Sequence, residues 1–169
     1  MVEERLTAYY DYMVTPKNGK ARARGTLPEK IIYYRDGVSE GQFGKVVRDE
    51  VSAIRAAYEN IKKLRKAKTN LQLTTIIVTK RHHTRFYPIK DADMEGKNNN
   101  CKPGTLVDKT VVSPYFKEFF LQSHAGLVGT ARPAHYFVVQ DDMDWDVGAL
   151  ATFVSTLRPF TLLPTPSRT

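Results

Sequence analysis

A carboxylate that could bind a metal ion stands at the end of a short apolar run. Asp36 follows the β-prone run at 31–34 and precedes Gly37. This pattern predicts a buried strand that stops at a tight turn. A carboxylate at a strand end, beside a flexible glycine, can reach a divalent cation. The residues alone also allow, and favour, a second interpretation in which Asp36 begins the turn or caps the next helix.

A cationic cluster follows a second apolar run, at 71–78. It comprises Lys80, Arg81, His83 and Arg85. If the strand continues through these residues, Arg81, His83 and Arg85 point to one face, because alternate residues of a strand share a face. Their donors would then suit phosphate oxygens. The alternative is a charged strand end that contacts only water.

The overall charge balance is compatible with a polyanionic partner. Net charge is +8, from 26 Lys and Arg against 18 Asp and Glu. Phosphate contacts by Lys and Arg release counterions, which favours binding of a polyanion. A soluble basic protein without such a partner would have the same charge balance. The single cysteine, Cys101, cannot form an internal disulfide, which predicts the cytoplasm or the nucleus. No run approaches the roughly 20 apolar residues of a membrane helix, so we expect no membrane partner.

The pattern between the two apolar runs predicts how the acid and the cations are positioned. Apolar residues recur at helical spacing from Phe43 to Leu64, so a long helix joins the two strands. This βαβ unit predicts parallel strands that are covered on both faces. Ligands collect at the carboxyl ends of such strands, so Asp36 and the cationic cluster should share a rim.

The rest of the chain contributes shorter elements to an α/β architecture. They are a helix at 2–13, polar loops at 15–28 and 90–104, strands at 105–112, 118–123 and 134–140, and a helix at 146–157.

Four segments resemble the second half of the Piwi domain of eukaryotic Argonautes. They are YRDGVSEGQF at 34–43, KRHHTRFYP at 80–88, KPGTLVD at 102–108 and SHAGLVGTARPAHYFVV at 123–139. The resemblance covers about residues 1–157 and leaves a divergent, proline-rich tail at 158–169. It implies an α/β, RNase H-like fold with a mixed sheet and flanking helices, here incomplete. It also implies a role in small-RNA-guided gene silencing, with a guide RNA and a target RNA as partners.

The resemblance gives roles to particular residues. Asp36 falls on a catalytic, metal-binding aspartate, and the cationic cluster falls on positions near the RNA backbone. His124 and Arg132 fall in segments that approach the guide backbone, where Gly126 and Gly129 would let the main chain come close to RNA. His135 is interpreted as a strand residue without chemistry.

The cleavage site that the resemblance implies is incomplete in this chain. Only one of the family's four catalytic positions, Asp36, has a counterpart. We therefore expect truncation at both ends, Mg²⁺ only where the full site exists, and no cleavage by this chain alone.

Two other readings of the sequence stay open. The chain could be a stand-alone RNase H-like, metal-dependent nuclease whose acids are Asp36, Asp108 and one of the aspartates at 141–146. It could also be a product that folds poorly and has no function. Mg²⁺-dependent cleavage would favour the nuclease, whereas salt-sensitive RNA binding without turnover would favour the Piwi fragment.

Overall fold

The structure is a computed structural model that describes residues 1–14, 26–96, 99–126 and 129–157. Most of the predicted loop at 15–28 and all of the tail at 158–169 lie outside these ranges. The chain divides into two compact units. The first comprises Met1–Ile76 with Val139–Met143, and the second comprises Ile77–Val138 with Asp144–Thr169. Among the described residues, no helix has the length and apolar character needed to cross a membrane.

Within the described residues, five strands form one sheet in the order β1-β2-β5-β4-β3. Their bounds are β1 Lys30–Asp36, β2 Gln72–Thr79, β3 Leu106–Val107, β4 Glu118–Leu121 and β5 Ala134–Asp141. Strands β3, β4 and β5 pair in antiparallel fashion. Strands β1 and β2 are neighbours, as the predicted βαβ unit requires. The strand predicted at 105–112 is much shorter, because the ladder ends at Val107 and the chain bends from Lys109 onward, where Thr110 adopts a φ of 69°.

Burial differs between the two strands of the βαβ unit. Strand β2 is covered on both faces, since five consecutive residues from Leu73 to Ile77 are buried. Strand β1 is exposed at Lys30 and Asp36 and half-buried between them. The prediction of full burial is therefore wrong for β1, because β1 is the edge strand in the described sheet order and has a neighbour on one side only.

The first unit is built on a long helical stretch that confirms the helix predicted from Phe43 to Leu64. It begins with α2 (Phe43–Lys45), widens into a π-helical segment (Val46–Val51) and continues as α3 (Ser52–Arg65). Helix α1 (Val2–Val14) packs on α3. Tyr58 of α3 is fully buried, and its hydroxyl donates to the Pro28 carbonyl at 3.0 Å. Helix α3 thereby fixes the chain that enters β1.

The second unit contains an aromatic ladder between β4 and β5. Phe119 pairs with Tyr136, and Phe120 pairs with His135. The rings of each pair stack, with centroids 5.0 Å and 4.3 Å apart. Helix α4 (Val147–Thr156) packs on β4, and its N-terminus is capped by the Asp146 side chain. These contacts confirm the final helix and give this unit its own core.

Candidate nucleic-acid interface

The cationic cluster does not lie on a strand. Strand β2 ends at Thr79, and residues 80–88 have no regular secondary structure. The prediction that Arg81, His83 and Arg85 share one strand face is therefore wrong, because the chain leaves the ladder before it reaches them. Lys80, Arg81 and His83 are nevertheless exposed.

His82 holds this segment in place. Its Nε2 lies 2.9 Å from the Pro133 carbonyl oxygen, and its ring meets Phe120 edge-on at 5.3 Å. Burial lowers the pKa of His82 below its ordinary value of 6.5, which favours the neutral ring. His82 thus faces inward while His83 faces solvent.

Arg85 turns back onto its own segment. Its Nη1 donates to the carbonyl oxygens of Thr84 at 2.7 Å and of His82 at 3.2 Å. The side chain is half-buried, so part of its donor capacity stabilises the local turn.

Arg132 is a further exposed basic residue of the same unit. Its side chain is exposed, and its Nη1 lies 3.4 Å from the Lys80 carbonyl oxygen. Within the described ranges, no carboxylate forms an ion pair with Lys80, Arg81 or Arg132. We call Lys80, Arg81, His83 and Arg132 the basic surface. Its charges are available to an external anion.

His124 is exposed at the start of the loop that leads to Arg132. The buried side chain of Gln122 donates to the His124 carbonyl oxygen at 2.6 Å. No described contact joins the His124 ring to the basic surface, so its predicted role in RNA binding stays a prediction.

Sequence reasoning missed a buried amide behind this loop. Asn100 is 1% exposed, donates from Nδ2 to the Gly129 carbonyl at 2.9 Å, and accepts the Ala131 N–H at 2.8 Å. A Cβ added to Gly126 would lie 2.7 Å from Asn100 Nδ2. The absence of a side chain at Gly126 is thus explained by Asn100, and the expected close approach of RNA is not needed to explain it. The sequence carried no signal that singled out this residue from the asparagines before it.

His135 has more partners than the sequence suggested. Its Nε2 lies 2.9 Å from the Glu118 carboxylate, and its ring stacks on Phe120. The side chains of His135 and Glu118 are 18% and 11% exposed, so the pair is shielded from water. Because Phe120 also contacts His82, this cluster supports the segment that carries the basic surface.

Asp36 ends β1 in the first unit and is exposed. Gly37, which follows it, adopts a φ of 76° that a glycine accommodates without strain. Arg35 donates to the Asp36 carbonyl at 2.6 Å. Glu50 accepts from two residues of β1, from Arg35 at 2.9 Å and from Tyr33 at 2.7 Å. The strand end is therefore tied to the π-helical segment. Asp36 and the basic surface belong to different units, so their shared rim stays a prediction.

The described residues do not form a magnesium site by themselves. Among them, no three His, Cys, Asp or Glu side chains are placed to hold a metal ion. Asp36 thus offers a single carboxylate, which does not complete the oxygen shell that Mg²⁺ prefers.

Three of the aspartates at 141–146, from which the alternative nuclease would take one acid, have structural partners. Asp141 accepts from Thr74 at 2.8 Å, and Asp146 caps α4. Asp142 accepts from the Leu73 N–H at 3.0 Å and from Arg55 at 2.6 Å. Burial would raise the pKa of Asp142, but these hydrogen bonds outweigh it and lower that pKa. Asp141, Asp142 and Asp146 therefore each accept a hydrogen bond that stabilises the fold.

Solved structures resemble this chain over most of its length. The crystal structure of Kluyveromyces polysporus Argonaute with a guide RNA matches with a TM-score of 0.75 and 33% identity, covering 92% of this chain and 18% of that one. The crystal structure of the C-terminal lobe of a budding yeast Argonaute matches with a TM-score of 0.72 and 33% identity, covering 88% and 29%. The α/β, RNase H-like fold is thereby confirmed.

Curated relatives give the same family. Protein argonaute 5 of Arabidopsis thaliana is 43% identical over 138 residues, covering 80% of this chain and 13% of the relative. Protein argonaute-2 of Drosophila melanogaster is 42% identical over 147 residues, covering 87% and 11%. This chain therefore spans only about an eighth of such relatives. The family model of the Piwi domain matches residues 3–157, and the chain belongs to the Piwi domain family.

Proposed function

We propose that this chain binds the backbone of a guide RNA and its paired target RNA in small-RNA-guided silencing. The observation that carries the proposal is the basic surface, whose Arg132 side chain lies beside Lys80 without a carboxylate partner among the described residues. The fold supports it, because a structure solved with a guide RNA matches this chain at a TM-score of 0.75.

The chemistry of the basic surface suits phosphates rather than bases. Guanidinium and ammonium groups donate to phosphate oxygens and are drawn to them by charge. Such contacts fix the position of a nucleic acid but carry no sequence information. Recognition of a target would then come from base pairing with the guide, and this chain would hold the paired strands in place.

Asp36 is proposed as one carboxylate of a cleavage site in a longer protein. In that setting, Mg²⁺ would stabilise the attacking and leaving oxygens of phosphodiester hydrolysis. Asp36 is the only metal ligand that we propose in this chain, so we expect the chain alone to bind RNA without cleaving it. We propose a cytoplasmic location, with the nucleus as the second possibility.

The test is a binding measurement with charge-removing variants of the whole chain. Each of Arg81→Ala and Arg132→Ala is expected to weaken binding of a short labelled RNA duplex by about tenfold, as loss of one charge-assisted hydrogen bond would. The matched control is Lys63→Ala, which removes an exposed positive charge from α3. If all three variants weaken binding equally, the RNA is attracted by net charge alone, and the proposed role of the basic surface is wrong. Mg²⁺-dependent cleavage that Asp36→Ala abolishes would replace it with the nuclease.

A further inference from the structure

The loop that carries Arg132 is built on a buried amide. The Asn100 side chain makes two hydrogen bonds to the main chain of this loop. It donates to the Gly129 carbonyl and accepts from the Ala131 N–H. Ala131 directly precedes Arg132, so these bonds fix the backbone from which the Arg132 side chain extends. Gly126 packs against the same amide, where a Cβ would lie only 2.7 Å from Nδ2.

Asn100 is itself held firmly. Its carbonyl accepts the Glu95 N–H at 2.8 Å, and the adjacent Cys101 pairs with Met94 in an isolated antiparallel bridge. Because both its main chain and its side chain are bonded, Asn100 can transmit a fixed geometry to the loop. An amide supplies the donor and the acceptor that this loop requires, whereas an apolar side chain would leave the Gly129 carbonyl and the Ala131 N–H unpaired.

The opposite end of the loop is held in the same way. Gln122 is buried, donates from Nε2 to the His124 carbonyl at 2.6 Å, and pairs through its main chain with Gly104 and Thr105. The described residues at the two ends of this loop, His124 on one side and Gly129 and Ala131 on the other, are therefore each bonded to a buried amide. Such support is what a surface needs if it must present a charge at a defined position without rearrangement on binding.

We infer that Asn100 is a positioning residue for RNA binding: it fixes the main chain at Gly129 and Ala131 and thereby holds Arg132 beside Lys80, ready for a phosphate. This inference rests on the proposed function. It extends the site beyond the exposed cations to a side chain that never touches the ligand.

A double-mutant cycle on the whole chain separates positioning from general stability. Asn100→Ala and Arg132→Ala are each expected to weaken binding of a short labelled RNA duplex by about tenfold. The double variant is expected to bind within about twofold of Arg132→Ala alone, because the two residues act through one contact. Wild-type affinity of Asn100→Ala, or an approximately hundredfold loss in the double variant, would overturn the inference.

Two further variants keep the test decisive. Thr74→Val removes a buried hydrogen bond to Asp141 in the first unit, so it should lower thermal stability and leave RNA affinity within about twofold. Gly126→Ala would place a Cβ 2.7 Å from Asn100 Nδ2 and so displace the Asn100 side chain. This variant is used in place of Asn100→Ala if Asn100→Ala does not fold. It should weaken RNA binding, and the loss should disappear in the Arg132→Ala background.

Hydrogen exchange distinguishes failure of this inference from failure of the proposed function. The Ala131 amide should be protected in the wild-type chain and exchange faster in Asn100→Ala. If this difference in exchange is seen but the wild-type chain does not bind RNA, the proposed function is wrong. The inferred hydrogen-bond support of the loop by Asn100 is then still correct. Unchanged exchange at Ala131 would overturn the role of Asn100 whatever the RNA result.

Discussion

Nε2 of His82 lies 2.9 Å from the carbonyl oxygen of Pro133, and this contact joins the segment after β2 to the segment before β5. Arg81 and His83 flank His82 on the first segment, and Arg132 precedes Pro133 on the second. The contact between His82 and Pro133 therefore joins the two segments that carry the basic surface.

Substitution of the two adjacent histidines should have unequal effects on stability. His82→Ala removes a half-buried ring, its hydrogen bond and its contact with Phe120, and should lower the free energy of unfolding by about 1–3 kcal/mol. His83→Ala should change that free energy by no more than about 0.5 kcal/mol, because His83 is exposed. Chemical denaturation checks both values. Equal destabilisation by the two variants would show that His82 does not anchor the segment.

The low pKa of His82 predicts a loss of stability in mild acid. Burial holds the folded-state pKa of His82 below 6.5, so the unfolded chain binds more protons just below that pH. Stability should be full above about pH 6.5 and fall as the pH drops toward the folded-state pKa. Melting temperatures measured between pH 7 and pH 5 should decline less in His82→Gln than in the wild-type chain. An identical decline in both proteins would assign the effect to another group.

Glu50 predicts a second loss of stability at lower pH. The hydrogen bond from Tyr33 is the largest cause that lowers the pKa of Glu50 below its ordinary value of 4.5, and the bond from Arg35 adds to it. The stabilisation should therefore be complete above about pH 4.5 and disappear as the pH falls through the folded-state pKa. Glu50→Gln should be less stable than the wild-type chain at neutral pH, and the difference should shrink toward pH 3. The variant Glu40→Gln, at an exposed position, serves as control and should change the stability at neutral pH by no more than about 0.5 kcal/mol.

A methyl group should be tolerated at one glycine and not at another. Gly126→Ala places a Cβ 2.7 Å from Asn100 Nδ2 and 3.3 Å from the Ala131 Cβ, so it should destabilise by about 1–3 kcal/mol. Gly41→Ala places its Cβ in open space and should change stability by no more than about 0.5 kcal/mol. Thermal unfolding of both variants measures the contrast. Wild-type stability of Gly126→Ala would mean that the loop yields easily at this point.

The elements that follow from local periodicity were predictable. The apolar spacing from Phe43 to Leu64 anticipated the long helix, and the runs at 31–34 and 71–78 anticipated β1 and β2. The widening of the helix at Val46–Val51 was not predictable, because the same apolar face fits an α-helix and a π-helical turn.

The interface was predictable in its residues and not in its geometry. Residues 80–88 directly follow an apolar strand, but only the surrounding chain decides whether they have a ladder partner. Burial of Asn100 likewise depends on Gly126, Gly129 and Ala131, which lie about thirty residues away. The sequence identified the exposed cations, whereas the side chains that support them emerge only from tertiary contacts.

The salt dependence of RNA binding tests the central claim most directly. The logarithm of the binding constant of the whole chain for an RNA duplex should fall linearly with the logarithm of salt concentration, and Arg132→Ala should reduce the slope by about one phosphate contact. Affinity that does not change with salt, or a slope that Arg132→Ala leaves untouched, would contradict a phosphate-binding role for the basic surface.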